Sequence, residues 1–581
     1  MLSKNSTNAG YIQSPYTTMQ IQRSLYSFLP ALLFSLLISA ACHTRQTPSD
    51  KPVMVESPEK MKSAVVDLIQ SHLEAAGTTG KITEDSVALR QPAAVQYLYE
   101  QHGGNPLWAE KESWLPIGDS LLRFIDSCRY YGLFPGDYHQ KDITVIRNRF
   151  LADSLSTGDR RDANLWSRAD LLMTDAFLQL IGDIKLGRLP NDSISLRKDS
   201  ILSNEFLAAQ YEKIKEQGFT ATISALEPAA LGYRQLKEGI RKFLATADDQ
   251  EYTQVPSAKT PGFKALLQKR LTEGNYLPAD NQVADSAHLA DAVKKFQKEK
   301  GMTVDGVAGD ATIRMLNVSD RERFIRIAIS LDKYKLLPDT MPEKYIWVNT
   351  SGNYLQVMDH DSVKLYSKVI CGKTTTRTPL LTSAISSLIT YPQWVPPPSI
   401  IKKEILPAVK RNPGYLAKKG FSLLNSKGEE VDPYSVDWTK YNNSMHYKVV
   451  QGSGDANALG IMKFHFDNKY SVYLHDTNQR YLFANAMRSL SHGCVRVQEW
   501  EKLTWYIIRN DSLLSGGRNY VKTDSIRTWL QRKEKKTIAI RNKLPVFIRY
   551  FTCEGKNGGI VFYDDVYGDD KYLREKYFAS K

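Results

Sequence analysis

The sequence predicts an α+β multidomain fold, on three observations. Apolar residues recur at three-to-four spacing from about Pro92 to Leu244, the period of helices that bury one face. A much smaller helical unit follows over about residues 260–318. Beyond residue 343 the pattern turns to strands, as in Tyr345-Ile346-Trp347-Val348-Asn349. With 581 residues the chain is too long for one core, so several domains are expected. Its 42% hydrophobic and 24% charged content is that of an ordinary globular protein. The net charge of +14 suits an acidic polymer or a membrane surface as neighbour. Lys and Arg are spread without a dense basic cluster, so nucleic acid is not an expected partner.

Residues 1–42 read as an export signal. Arg23 precedes an apolar run from Leu25 to Ile38 that ends in Ser39-Ala40-Ala41-Cys42, and the run is too short for a membrane span. Met19 is an alternative start. The small residues before Cys42 resemble a lipoprotein processing site, which would put acyl chains on Cys42 and hold the protein at a membrane in the periplasm or cell envelope. A plain secretory signal is the other reading. Residues 43–85 are polar and read as a tether, interrupted by one apolar helix at about Met61–Ala75.

Residues 86–250 form the predicted helical domain. Runs such as Leu121-Leu122-Arg123-Phe124-Ile125 are separated by turns at Gly103-Gly104-Asn105-Pro106 and Phe134-Pro135-Gly136-Asp137. Residues 260–318 form the three-helix unit. There Leu266, Leu267 and Leu271 share one face and Ala292, Val293 and Phe296 another. Asp310 is expected to cap a last helix carrying Ile313 and Leu316. A helix over Arg321–Leu336 leads into residues 343–523, the predicted catalytic domain. It opens on a hairpin, Tyr345–Asn349 with Tyr354–Met358, and a strand over Leu365–Cys371. Prolines from Pro392 to Pro398 break regular structure, and an insertion of about 395–450 follows, with a helix near Lys402–Lys410. An alternating strand over Tyr470–Leu474 runs into His475. Residues 524–581 read as a C-terminal extension with a Lys/Arg-rich helix.

The chemistry is concentrated in Ser491-His492-Gly493-Cys494-Val495-Arg496. A cysteine in a glycine-containing turn near histidine has the parts for covalent acyl transfer. The thiolate attacks a carbonyl, and an imidazole takes the thiol proton and later returns one to the leaving amine. N–H groups around Gly493 and Cys494 can form an oxyanion hole. The rival is a metal site built from His465, His475, His492 and Cys494, but their spacing fits no compact ligand pattern. Of the five cysteines, Cys42, Cys128, Cys371, Cys494 and Cys553, no disulfide framework can be read.

His475, then fifteen residues, then Ser-His-Gly-Cys-Val-Arg resembles the active-site signature of the bacterial L,D-transpeptidases. The resemblance implies Cys494 as nucleophile and His475 as proton acceptor and donor. It implies Ser491, His492 and Gly493 as turn and oxyanion hole, and Arg496 as a structural or substrate-carboxylate group. Asn457, in the stretch Asn457-Ala458-Leu459-Gly460 that matches the family, joins Trp394 and Tyr473 as a substrate-binding candidate. Pro106-Leu107-Trp108, Tyr131-Gly132-Leu133-Phe134-Pro135 and Gly187-Arg188-Leu189-Pro190 resemble the helical scaffold domain of large L,D-transpeptidases. Ala292–Gln297 with Asp305–Gly309 and Leu316-Asn317 resembles a peptidoglycan-binding module, and the insertion would be the subdomain capping the cleft.

The implied reaction is formation of 3–3 cross-links between peptidoglycan stem peptides through a Cys494 thioester, by a monomer needing no metal or cofactor. Water as acceptor would make it an L,D-carboxypeptidase, and a protein amine an anchoring enzyme. A reading of another class is a non-catalytic wall-binding lipoprotein.

Overall fold

The computed structural model describes residues 51–83, 88–152, 158–248, 250–279, 284–300, 302–517 and 521–581. The expected export signal, with Cys42 and Met19, lies outside them. Among the described residues no helix is long and apolar enough to cross a membrane.

The tether reading of residues 43–85 does not hold where the chain is described. Pro58–Thr79 is a 22-residue helix with proline in its first turn, and Gly80 in the left-handed region (φ 76°) ends it. It buries Met61, Val65, Ile69, His72 and Ala76, spaced four, four, three and four apart. That stripe packs into one core with the helices Pro92–Gln101, Pro116–Ser127, Gln140–Ala152 and Ala163–Lys185. The segment reads as polar because only one face is apolar.

The motifs of this helical domain are joints. Pro106-Leu107-Trp108 is tied down by the buried Asp170 carboxylate, which accepts from the N–H of Leu107 at 2.8 Å and of Trp108 at 2.9 Å. Arg188 of Gly187-Arg188-Leu189-Pro190 pairs with Asp137 of Phe134-Pro135-Gly136-Asp137. The Arg188 N–H donates to Asp332 at 2.8 Å, on the helix Asp320–Lys335 that leads to the catalytic domain. Gly187 has φ 71°, and a Cβ there would lie 2.5 Å from the Asp332 carboxylate, so only glycine fits.

The small unit has the three expected helices, Phe263–Glu273, Ser286–Glu299 and Asp310–Leu316. Leu267, Leu271, Ala292, Val293, Phe296, Ile313 and Leu316 form its core. Two expectations fail locally. Leu266 is exposed, and Asp310 is the first helical residue rather than the cap, which is Gly309.

The catalytic domain is built on nine strands: β1 Lys344–Asn349, β2 Tyr354–Asp359, β3 Ser362–Gly372, β4 Leu381–Thr390, β5 Met462–Phe466, β6 Leu474–His475, β7 Ser489–Ser491, β8 Val495–Val497 and β9 Lys536–Arg549. Their order is β7-β3-β8-β6-β5-β4-β9-β1-β2, and a further β3–β2 pairing closes the sheet on itself. Inside lie Val348, Leu355, Ile385, Phe464, Leu474, Val495 and Ile538. The extension boundary at residue 524 is therefore corrected. β9 pairs antiparallel with β4 and parallel with β1, so it is a central strand of the domain. The strand expected over Tyr470–Leu474 shrinks to Leu474–His475, because Ser471 adopts φ 57° and Asn468 closes a turn through its side chain.

The insertion has its own core of Ile400, Ile405, Leu406, Val409, Leu416, Leu423, Trp438 and Val449. Its helical stretch, Pro398–Arg411, contains a π-helical segment over Ile401–Ile405. A π segment inserts an extra residue per turn and re-aims the side chains it carries. One of these is Glu404.

Candidate active site

Three strands bring the polar residues together. β6 runs parallel to β8, setting His475 opposite Arg496, and antiparallel to β5, setting His475 opposite Lys463. Side chains alternate along a strand, so Leu474, Val495 and Phe464 enter the core while His475, Arg496 and Lys463 share the other face. Cys494 sits in the turn between β7 and β8. It borders a cleft of about 210 Å³, with His475, Tyr473, His492 and Arg496 on the catalytic side and Trp394 and Ile400 on the insertion side.

The turn is held by its own residues. Ser491 Oγ accepts from the Gly493 N–H at 3.1 Å and donates to the Cys494 carbonyl at 2.6 Å. Gly493 has φ 122°, and its carbonyl accepts from the Thr378 hydroxyl at 2.8 Å. The Gly493 N–H, expected in the oxyanion hole, is thus spent on Ser491. His492 sets its Nε2 against Glu404 of the insertion. His465 faces Asp467 at 3.4 Å. Two of the four groups of the rival metal set therefore point elsewhere.

Asn457 is corrected from substrate-binding to structural. It is buried, its amide donates to the Gly452 carbonyl at 2.8 Å, and its Oδ1 accepts from the Leu459 N–H at 2.8 Å. Three residues on, Gly460 has φ 62°, and a Cβ there would lie 2.3 Å from the buried Asp476 carboxylate. Asp476 follows His475 in the chain, so Asn457-Ala458-Leu459-Gly460 is the seat on which His475 rests. The His475 ring is held by the backbone at Asp476 and Leu459, and among the described residues its buried Nδ1 has no hydrogen-bond partner.

The electrostatics depart from a ready-made ion pair. Burial, assisted by the Arg496 charge, lowers His475 from 6.5 to about 3, so the imidazole is neutral at ordinary pH. Burial raises the Cys494 thiol above its usual value, against bonds from Tyr473 and the attraction of Lys463 and Arg496. Cys494 keeps partial exposure at the cleft yet is surrounded by protein on nearly all sides. The resting pair is therefore thiol and neutral imidazole, and the countercharges offered to a thiolate are Lys463 and Arg496.

Lys463 was missed by sequence reading. Its ammonium lies 3.9 Å from the centre of the Tyr473 ring, and Tyr473 packs edge-on against His475 at 5.6 Å. The usable signal was the alternation Met462-Lys463-Phe464, which sets a lysine on the solvent side of the strand beside His475. Lys463→Met is expected to raise the pH at which iodoacetamide alkylates Cys494 by about half a unit to one unit, since one unit is 1.36 kcal/mol of lost anion stabilisation. Lys463→Arg should restore it. Alkylation measured against pH checks this.

The other cysteines among the described residues, Cys128, Cys371 and Cys553, are free and buried. Burial holds the Cys371 and Cys553 thiols up at about 12, so neither competes with Cys494 as a nucleophile.

Comparison with known proteins agrees with this architecture. Residues 343–509 match the model of the L,D-transpeptidase catalytic domain, residues 93–240 that of the scaffold domain, and residues 265–316 that of a putative peptidoglycan binding domain. Residues 343–509 are thus similar to an L,D-transpeptidase catalytic domain, preceded by segments similar to the scaffold and peptidoglycan-binding domains. It is 34% identical over 248 residues to a putative L,D-transpeptidase of Haemophilus influenzae, an alignment covering 43% of this chain and 48% of that one. The chain thus spans about half the length of the curated relative it matches. A crystal structure of an L,D-transpeptidase (Yku) from Stackebrandtia nassauensis aligns at 14% identity over 52% of this chain and 97% of that one, with a TM-score of 0.18. A score that low carries no argument.

Proposed function

We propose that the protein is a peptidoglycan L,D-transpeptidase that forms 3–3 cross-links through a thioester on Cys494. The observation that carries this is the convergence on one cleft of the Cys494 thiol, the buried His475 and Arg496, with Lys463 outside the lining but close enough for its charge to act on the thiol. The carbonyl of the third stem residue enters the cleft. As the sulfur attacks, His475 takes the thiol proton, and Lys463 and Arg496 balance the growing negative charge. The Cys494 N–H, with Gly493 N–H already engaged, donates to the oxyanion. His475 then protonates the departing terminal D-alanine, and an amine of a second stem resolves the thioester. All of this chemistry is supplied by side chains of the chain itself. Residues 265–316 would hold the glycan near the cleft, and export with lipid on Cys42 would keep the enzyme at the wall. Cys42→Ser should release it from the membrane fraction, which fractionation reads directly.

Incubation with tetrapeptide-stem fragments tests the reading. Cross-linked dimers support transpeptidation. Tripeptides alone mean that water is the acceptor, and unchanged but bound fragments mean a wall-binding protein.

The contact between Glu404 and His492 ties the insertion to the nucleophile turn. Both side chains are partly exposed, so the pair contributes at most about 1 kcal/mol. Glu404→Ala is expected to raise KM for the stem up to about fivefold and leave kcat within about twofold, since Glu404 does not touch the sulfur. Steady-state kinetics on one stem substrate separate the two effects.

A further inference from the structure

The stretch Gly187-Arg188-Leu189-Pro190 takes no part in the cleft, yet Leu189 and Pro190 wall a second cavity of about 500 Å³. Ile194, Leu336, Leu380, Phe551 and Leu573 also line it, with Arg549 and Tyr550 at the end of β9. This size falls within the range of roughly 300–1,000 Å³ usual for small-molecule sites, as does a mainly apolar wall with few polar groups.

Two of the three cations at this cavity contact a carboxylate among the described residues, and the third, Arg549, does not. Lys333 pairs with Asp570, and Arg377 pairs with Asp569 at 2.7 Å. Arg549 is buried and donates only to neutral oxygens: the carbonyls of Leu381 at 2.8 Å, Ile548 at 3.1 Å and Ile194 at 3.4 Å, and the Thr382 hydroxyl at 2.7 Å. Among the described residues no carboxylate forms an ion pair with it. Asp192, exposed at the rim, is the acid that acts on it from a distance. A buried cation without a counterion is costly, and a bound anion offsets that cost.

The cavity wall is also the back of the nucleophile turn. Tyr550 stacks on Tyr567, with ring centres 5.3 Å apart. The Tyr567 hydroxyl donates to the Gly372 carbonyl at 2.7 Å and accepts from the Thr378 N–H at 3.3 Å. Within the same short loop, the Thr378 hydroxyl donates to the Gly493 carbonyl at 2.8 Å and the Thr376 hydroxyl to the Ser491 carbonyl at 2.9 Å. Arg377 and Leu380 of that loop line the cavity.

We propose that this cavity is a binding site for a single-chain amphiphilic carboxylate, its head on Arg549 and its chain along Leu189, Leu336, Leu380 and Leu573, and that its occupancy changes the reactivity of Cys494 through the loop of residues 373–380. The coupling rests on Cys494 being the reactive thiol. The binding does not depend on which acceptor the enzyme uses.

The test uses the full-length protein freed of lipid, with decanoate as probe and decyltrimethylammonium as the head-group control. Decanoate is expected to bind once per chain by calorimetry, at least tenfold tighter than the cation. It should change the rate of Cys494 alkylation by iodoacetamide at least threefold. Leu573→Trp or Ile194→Trp, each filling the cavity from a different wall, should abolish both effects while leaving alkylation without decanoate at the wild-type rate. Equal binding of the two head groups, binding that survives both filled variants, or binding without any change in alkylation would overturn the proposal. None of these outcomes bears on whether stem peptides are cross-linked, which the product assay decides.

Discussion

Cys494→Ala is expected to lower formation of cross-linked product by a factor on the order of 10⁶, the scale seen when a covalent nucleophile is removed. Among the described residues no other thiol can substitute. Cys371 and Cys553 are buried with their thiols held at about 12, and Cys128 is buried in the helical domain, its thiol raised still further. The fold should survive, because the turn is built by Ser491, Gly493, Thr376 and Thr378, none of which relies on the sulfur. The change in stability should stay within about 1 kcal/mol, as for a small substitution outside the core. Product assays alongside thermal melts check both halves.

His475→Ala is expected to slow acylation of Cys494 by stem peptide by a factor on the order of 10² to 10⁴, the usual contribution of a general base. The pH dependence has a definite sign. Because the folded imidazole titrates near 3, wild-type acylation should show no loss between pH 7 and pH 5 from protonation of His475. Because the thiol is raised, alkylation of Cys494 by a neutral reagent should climb through the alkaline range, above the ordinary thiol value of about 8.5. Stability follows the same shift. The unfolded chain takes up the His475 proton near pH 6.5 and the folded chain only near 3, so wild type loses stability as pH falls through that window. His475→Ala should lose less over the same window. Rates and melting temperatures across pH 3–9 for the two proteins settle each point.

The order of domains and the proposed reacting pair were legible because they rest on local patterns. Helical periodicity found the scaffold, and a glycine turn around Cys494 pointed to the proposed nucleophile. What sequence did not yield depends on contacts between distant segments. β9 reads as part of an extension until β1 and β4 are seen on either side of it. The helix expected at about Met61–Ala75 reads as an interruption in a tether until its apolar stripe, on Pro58–Thr79, meets the helix Ala163–Lys185. Asn457 resembled a ligand contact because motif residues invite that reading, whereas its amide closes the turn beneath His475. The sequence also suggested a thiolate whose proton an imidazole has taken. Burial on both partners makes the resting pair neutral, and only the folded environment carries that information.

The most direct measurement of the central claim is intact-protein mass spectrometry after brief incubation with a tetrapeptide stem. The account predicts one adduct, with the mass of the stem less one molecule of free D-alanine, released by hydroxylamine and mapped by peptide digestion to Cys494. An adduct on any other residue, or cross-linked product formed at the wild-type rate by Cys494→Ala, would contradict it.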